Sequence, residues 1–136
     1  MRILCLDLGA RRVGIAVSDP MGWTAQGVES YPYRGDEDLM KHVLQLIGEK
    51  QAEKLVIGMP RNMNGTYGPM AEKITAFADV FAPQCPVPVV LWDERLTTVA
   101  AQRTLLEGNV RRDKRRQVVD KLAACLILQN YMEANP

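Results

Sequence analysis

Residues Ile3–Asp19 read ILCLDLGARRVGIAVSD: an apolar run stops at one carboxylate, a short basic loop follows, and a second apolar run resumes. Asp is disfavoured inside a strand, and a charged side chain among apolar neighbours is costly unless it is paired or holds a metal. Asp7 therefore predicts a site where the first strand meets its loop. A simpler interpretation stays open, in which Asp7 accepts hydrogen bonds from turn amides and Gly9 and Gly14 are ordinary turn glycines.

The periodicity of the apolar residues predicts the element order β-β-β-α-β-α-β-α-α. Strands are expected near residues 2–8, 12–18, 26–33, 55–58 and 87–92. Helices are expected from Asp36, over about 67–82, from Thr97 or Thr98 to Gly108, and over about 114–133 with Asp113 as the cap. The tight first loop makes strands 1 and 2 an antiparallel hairpin with strand 3 beside it, and the helical connections make strands 1, 4 and 5 parallel. The predicted fold class is therefore α/β, with a mixed five-stranded sheet.

Length and composition predict one globular domain over residues 1–136. A chain of this length buries roughly two-thirds of its unfolded surface, and 47% hydrophobic and 24% charged residues are ordinary for a soluble protein. No leader or apolar run of transmembrane length is recognisable, so the expected location is cytoplasmic. The three cysteines lack C-x-x-C spacing and the single histidine is His42, which argues against a disulfide scaffold, a zinc site and histidine-based catalysis.

Basic residues concentrate near the C-terminus. From Arg111 to Lys121, six basic residues stand against two acidic ones, a local charge of +4 in a chain whose net charge is +1. Such a run is either a solvated helix face or the footprint of a partner that carries phosphates. Nucleic-acid contacts are expected from this segment and from the loops after the first and last strands, through Arg11, Arg12, Arg95, Arg111, Arg112, Lys114, Arg115 and Arg116.

Acidic residues follow two parallel strands, and another lies on the last helix. Because sites form at the carboxyl ends of parallel strands, Asp7 and the pair Asp93-Glu94 are expected at one edge of the sheet. Asp120 falls on the apolar stripe of its helix, beside the small Ala123 and Ala124, which predicts that it points toward that edge. The alternative is an ion pair of Asp120 with a neighbouring cation, namely Lys121, Arg116 or Arg115.

The pair Asp93-Glu94 offers two candidate ligands, of which strand alternation lets only one reach the side of Asp7. Glu94 lies nearer the strand end and has the longer side chain, so we predict Glu94 as the ligand. Asp93 is then a supporting residue that accepts hydrogen bonds from loop amides or pairs with Arg95, and Thr97 is a second support.

Three converging carboxylates, Asp7, Glu94 and Asp120, form a set of hard oxygen ligands that suits Mg²⁺ or Mn²⁺. Such a site can hold two ions about 3.5–4 Å apart and hydrolyse phosphodiester bonds. The basic segments would hold the polyanion across it.

The motifs of this chain resemble, in order, those of the YqgF/RuvX family. They are Asp7-Leu8-Gly9 with Gly14-Ile15-Ala16, Gly58-Met59-Pro60 with Asn64-Gly65-Thr66, Asp93-Glu94-Arg95-Leu96-Thr97-Thr98, and Asp120-Lys121-Leu122-Ala123-Ala124-Cys125-Leu126-Ile127-Leu128. The resemblance implies the RNase H-like fold, with helices on both faces of the sheet. It also implies a metal-dependent nuclease that matures the 5′ end of pre-16S ribosomal RNA, with acidic residues at Asp7, Asp93-Glu94 and Asp120.

Other functions remain open at this point. One is the resolution of Holliday junctions in branched DNA, and another is a non-catalytic, RNA-binding role in ribosome assembly. A third is nucleotide binding, because an Asp-x-Gly followed by a hairpin also resembles the first phosphate loop of the actin/Hsp70/sugar-kinase ATPases. The expected partners are nucleic acid, with pre-rRNA favoured over branched DNA, and ribosomal particles. No membrane partner is expected, and the chain is predicted to be a monomer or a weak homodimer.

Overall fold

The structure, a computed structural model, describes residues 1–60, 68–93 and 112–135, and over 112–119 it describes the backbone alone. The strands are β1 (Ile3–Leu8), β2 (Arg12–Ser18), β3 (Ala25–Pro32), β4 (Lys54–Met59) and β5 (Val89–Asp93). The helices are α1 (Asp36–Lys50), α2 (Pro69–Phe81) and α3 (Arg112–Ala134), and a 3₁₀ turn at Ala82–Gln84 follows α2.

The five strands form one mixed sheet in the order β3-β2-β1-β4-β5. β2 is antiparallel to both β1 and β3, whereas β4 is parallel to β1 and to β5. This topology confirms the predicted hairpin and the parallel arrangement of the first, fourth and fifth strands. It brings the carboxyl ends of β1, β4 and β5 to the same edge of the sheet.

The sheet separates two apolar cores, because successive side chains of a strand point to opposite faces. Leu4, Leu6 and Leu8 of β1 pack with α1 and α2, while Ile3 and Cys5 face α3. Helices therefore cover both faces, as predicted. Residues of β1 with odd numbers, Asp7 among them, belong to the α3 face.

Several predicted boundaries differ from the structure by one or two residues. β5 begins at Val89 rather than 87, although the carbonyl of Pro88 already accepts a hydrogen bond from the amide of Leu55 at 2.9 Å. The predicted cap at Asp113 is wrong, because the backbone of α3 is already helical at Arg112. The helix expected from Thr97 or Thr98 to Gly108 lies outside the described residues. Within the described ranges, no helix is both long and apolar enough to cross a membrane.

The three cysteines lie in or against the two apolar cores, and the histidine lies on α1. Cys5, Cys85 and Cys125 form no disulfide with one another, and burial raises the pKa of Cys125. His42 stacks on Tyr31 with ring centroids 3.8 Å apart and contacts Glu29. Glu29 and Tyr31 lie opposite Ile15 and Val13, which belong to the core formed by α1 and α2. The histidine therefore serves the packing of α1 on β3, on the sheet face away from α3.

Candidate active site at the carboxyl end of β1

One row of residues crosses three strands on the α3 face of the sheet. Asp7 of β1 lies directly opposite Gly14 of β2, and Gly14 lies opposite Ser30 of β3. Residues that oppose each other in a ladder share a face and lie within side-chain reach. The row therefore places a carboxylate and a hydroxyl on the two sides of a position that has no side chain.

Gly14 lets the backbone of α3 contact the sheet at this row. A Cβ at this position would lie 2.1 Å from the carbonyl oxygen of Asp120 and 2.7 Å from its carbonyl carbon, distances that no side chain tolerates. The interpretation of Gly14 as a turn glycine is wrong, since it lies inside β2. The expected close approach of the helix at Ala123 and Ala124 agrees with their burial, 2% and 0% exposed, but the tightest contact is at Gly14.

The Asp120 side chain turns toward the sheet and is held there by two donors. The guanidinium Nε of Arg12 and the Oγ of Ser30 both donate to its Oδ2, at 2.8 and 2.9 Å. Arg12 shares the face of Gly14 because it lies two residues earlier on the same strand. The partner of Asp120 is thus Arg12 rather than Lys121, the one candidate cation whose side chain the structure describes.

Ser30 is a site residue that sequence reasoning missed. It stands in a strand with partly exposed residues, so neither periodicity nor composition distinguishes it. Only its register opposite Gly14, across a strand that also pairs with β1, identifies it.

The loop after β1 closes a small cavity beside these groups. The amide of Gly9 donates to the carbonyl of Arg12 at 2.9 Å, and a Cβ on Gly9 would lie 2.7 Å from that oxygen, so this tight turn requires glycine. Residues Gly9–Arg12 and Asp120 line a cavity of about 400 Å³, with Arg11 exposed at its rim. The cavity thus combines one carboxylate with two guanidinium groups.

The end of β5 shows on which face each of its residues lies. Trp92 is opposite Gly58 and packs on α3, where its indole N–H donates to the Oδ1 of Asn130 at 2.9 Å. Asp93 is opposite Met59, which belongs to the core formed by α1 and α2. Asp93 therefore lies on the other face of the sheet from Asp7, and this register favours a supporting role for it.

The remaining predicted site residues are not described at the level of side chains. Glu94, Arg95, Thr97 and Arg111 lie outside the described residues. The structure shows only the helical backbone for the other predicted nucleic-acid contacts, which are Arg112, Lys114, Arg115 and Arg116.

The donor set on the α3 face fits a hard divalent cation in its chemistry. Asp7, opposite Gly14, and Asp120, whose backbone lies against Gly14, are carboxylates on the same face of the sheet, and carboxylate oxygens are ligands that Mg²⁺ prefers. Within the described part of the chain, no three acidic, histidine or cysteine side chains are grouped closely enough to hold a metal ion. A third carboxylate from beyond Asp93 would complete such a set.

The order of the strands and the helices on both faces define the chain as a protein with the RNase H-like α/β fold. Among solved structures, RuvC from Thermus thermophilus in complex with Holliday junction substrate aligns with a TM-score of 0.62 at 14% identity, over 98% of this chain and 96% of that one. The fowlpox virus Holliday junction resolvase aligns with a TM-score of 0.57 at 15% identity, over 98% and 99%. These likenesses confirm the predicted fold.

The chain belongs to the RuvX family, described as Holliday junction resolvase, whose model matches residues 1–134. A relative from Heliobacterium modesticaldum is 54% identical over 134 residues, 98% of this chain and 90% of the relative. A relative from Listeria monocytogenes is 52% identical over 137 residues, 98% of each chain. Both carry the name "Putative pre-16S rRNA nuclease". The predicted family is therefore confirmed, and the nuclease interpretation is favoured over nucleotide binding.

Proposed function

We propose that this protein is a metal-dependent nuclease that hydrolyses phosphodiester bonds during maturation of the 5′ end of pre-16S ribosomal RNA. The observation that carries the proposal is that Asp7 and Asp120 lie on one face of the sheet, on either side of Gly14 at the carboxyl end of β1, and that Asp120 lines the cavity of the basic loop. Carboxylates and guanidinium groups on one face of the sheet suit a polyanionic substrate and the cations that accompany it.

Each site residue has a proposed role. Asp7, Glu94 and Asp120 would bind Mg²⁺ or Mn²⁺, and one or two such ions would activate a water molecule and stabilise the leaving oxygen. Asp93 and Thr97 support the loop that carries Glu94. Phosphates would contact the basic residues of the loops and of α3, namely Arg11, Arg12, Arg95, Arg111, Arg112, Lys114, Arg115 and Arg116.

Ribosomal RNA is favoured over branched DNA because the relatives at 52% and 54% identity carry the pre-16S rRNA name, whereas the solved resolvases are 14% and 15% identical. Contacts with phosphates carry no base information, so the choice of substrate rests on this comparison. We infer one nuclease domain over residues 1–136, which acts in the cytoplasm on ribosomal particles as a monomer or a weak homodimer.

A cleavage assay with Asp7→Asn tests the proposal. The purified protein is offered precursor 16S rRNA, single-stranded RNA and a four-way DNA junction side by side, with Mn²⁺, with Mg²⁺ and with a chelator. We expect the wild type to cut the precursor RNA only with metal. Asp7→Asn should abolish this cleavage and leave the melting temperature in the absence of metal unchanged or slightly higher, since the substitution removes one of several neighbouring negative charges.

Three results would contradict parts of this proposal. Cleavage by Asp7→Asn at the rate of the wild type would remove Asp7 from the active site. Cleavage of the junction in preference to the RNA would make the protein a resolvase. RNA binding that survives the loss of Asp7, without cleavage by the wild type under any condition, would make it a non-catalytic assembly factor.

A further inference from the structure

We propose that Arg12 is a positioning residue that holds Asp120 in the free protein and transfers to a phosphate of the nucleic acid when substrate binds, so that substrate frees Asp120 for the metal. This inference rests on the proposed function and adds to it a coupling between the binding of the metal ion and the binding of the nucleic acid. It concerns three side chains on the α3 face of the sheet: Arg12, Ser30 and Asp120.

The guanidinium of Arg12 is only partly used by its ion pair. Nε donates to Oδ2 of Asp120 at 2.8 Å, and the four N–H donors of the two terminal nitrogens have no partner among the described residues. The side chain is 31% exposed and lines the cavity of about 400 Å³. A planar guanidinium whose N–H donors face an open cavity is well suited to bind a phosphate with two parallel hydrogen bonds.

The carboxylate of Asp120 is likewise held at one oxygen only. Arg12 and Ser30 both donate to Oδ2, and Oδ1 has no partner within the described part of the chain. A cation approaching Oδ1 meets the positive charge of Arg12 at the same carboxylate, which weakens its binding. The ion pair therefore competes with the metal as long as the substrate is absent.

Ser30 would keep Asp120 in place when Arg12 leaves. Its hydroxyl is neutral and donates at 2.9 Å, so it fixes the orientation of the carboxylate without reducing the negative charge. A phosphate in the cavity would accept hydrogen bonds from the guanidinium of Arg12. The positive charge of Arg12 would then neutralise Asp120 less. Nucleic acid should therefore raise metal affinity, and by linkage metal should raise nucleic-acid affinity by the same factor.

The test measures Mn²⁺ affinity by calorimetry, with and without a short phosphorothioate RNA whose intactness is checked after each titration. The variants are Arg12→Gln and Arg11→Gln, which lose the same charge from neighbouring positions that line the same cavity. Of the two side chains, only Arg12 contacts Asp120. Arg11→Gln therefore controls for the general effect of one positive charge on the binding of a cation.

In the wild type, RNA should tighten Mn²⁺ binding about fivefold or more, the lower end of ordinary coupling between sites. In the absence of RNA, Arg12→Gln should bind Mn²⁺ more tightly than Arg11→Gln. The increase in Mn²⁺ affinity that RNA causes in the wild type should be mostly lost in Arg12→Gln. Arg11→Gln should keep the response to RNA and bind the RNA itself more weakly. Arg12→Lys, which keeps the charge but lacks the planar fork, should respond to RNA less than the wild type.

Equal Mn²⁺ affinities for Arg12→Gln and Arg11→Gln, with an equal response to RNA, would overturn the inference. If Arg12→Gln does not fold, an Arg12→Lys variant that responds to RNA like the wild type overturns it as well. A wild type that binds no Mn²⁺ would overturn both this inference and the proposed metal dependence. A wild type that binds Mn²⁺ but cuts none of the substrates would overturn the proposed function alone.

Discussion

At the scale of single residues, Gly14 sets how closely α3 approaches the sheet. The carbonyl of Asp120 lies where a Cβ of residue 14 would be, and backbone atoms cannot move aside as the end of a long side chain can. Any side chain at this position would push the helix away from β2. The geometry of Asp120 toward Arg12 and Ser30 depends on this contact, because both donors lie on the sheet.

Gly14→Ala should therefore destabilise the protein and disturb the site together. We expect a loss of about 3 kcal/mol or more in the free energy of unfolding, the upper end for an overpacked core, accompanied by loss of cleavage. Gly48→Ala is the matched control: Gly48 lies in α1 with no atom near its missing Cβ, and alanine there should add about 0.5–1 kcal/mol. Denaturant unfolding of both variants checks the prediction, and a Gly14→Ala protein as stable as the wild type would contradict the contact.

At the scale of elements, the alternation of β5 separates the two acidic residues at its end. Trp92 packs on α3 and Asp93 shares the face of Met59, which lies in the core against α1 and α2. A carboxylate on that face is separated from Asp7 by the sheet itself. The position after Asp93 is Glu94, and the side chain there is the better candidate for a metal ligand.

Glu94→Gln and Asp93→Asn should consequently have opposite effects. Each change replaces a carboxylate by an amide of the same shape. Glu94→Gln should eliminate metal-dependent cleavage with little change in stability, because the lost oxygen is needed only when metal is bound. Asp93→Asn should keep cleavage and lower the free energy of unfolding by about 1–3 kcal/mol, the cost of weakening a charged hydrogen bond.

Cleavage and denaturant unfolding, measured on the two proteins in parallel, distinguish these roles. A stable but inactive Asp93→Asn protein, together with a Glu94→Gln protein that still cuts, would reverse the assignment.

At the scale of the whole molecule, positive charge is distributed unevenly. The segment from Arg111 to Lys121 carries a local charge of +4 in a chain of net charge +1, so the rest of the chain is net negative. The helix that carries most of this segment is the one whose Asp120 contacts the sheet at the site. This arrangement would attract a polyanion to the face where the carboxylates lie and away from the face of α1.

Replacing Arg111, Arg112, Arg115 and Arg116 together with Gln should weaken nucleic-acid binding and its dependence on salt. Each lost phosphate contact should reduce the slope of log affinity against log salt by about 0.7–0.9. The cleavage rate at saturating substrate should change less than the affinity. The control is Lys41→Gln, an exposed cation on α1, which should leave the slope unchanged. An unchanged slope in the fourfold variant would make this segment an ordinary solvated helix face.

The sequence by itself determined the class of fold and the identity of the candidate carboxylates. Alternation, turn residues and the lengths of the connections are local properties, so the hairpin of β1 and β2 and the parallel arrangement of β1, β4 and β5 follow from them. The placement of Asp7 at the end of a parallel strand follows in the same way. Local signals were less accurate at the ends of elements, as the start of α3 before Asp113 shows.

Only the tertiary structure decided how these groups meet. Arg12 and Asp120 are 108 residues apart in the chain, and Ser30 and Asp120 are 90 apart. Their contact depends on the register of three strands and on the approach of a helix over Gly14, which no periodicity encodes. A carboxylate with basic residues near it can be recognised in a sequence, but packing decides which of them it pairs with. Among the cations whose side chains the structure describes, Arg12 is the one brought within hydrogen-bond distance of Asp120.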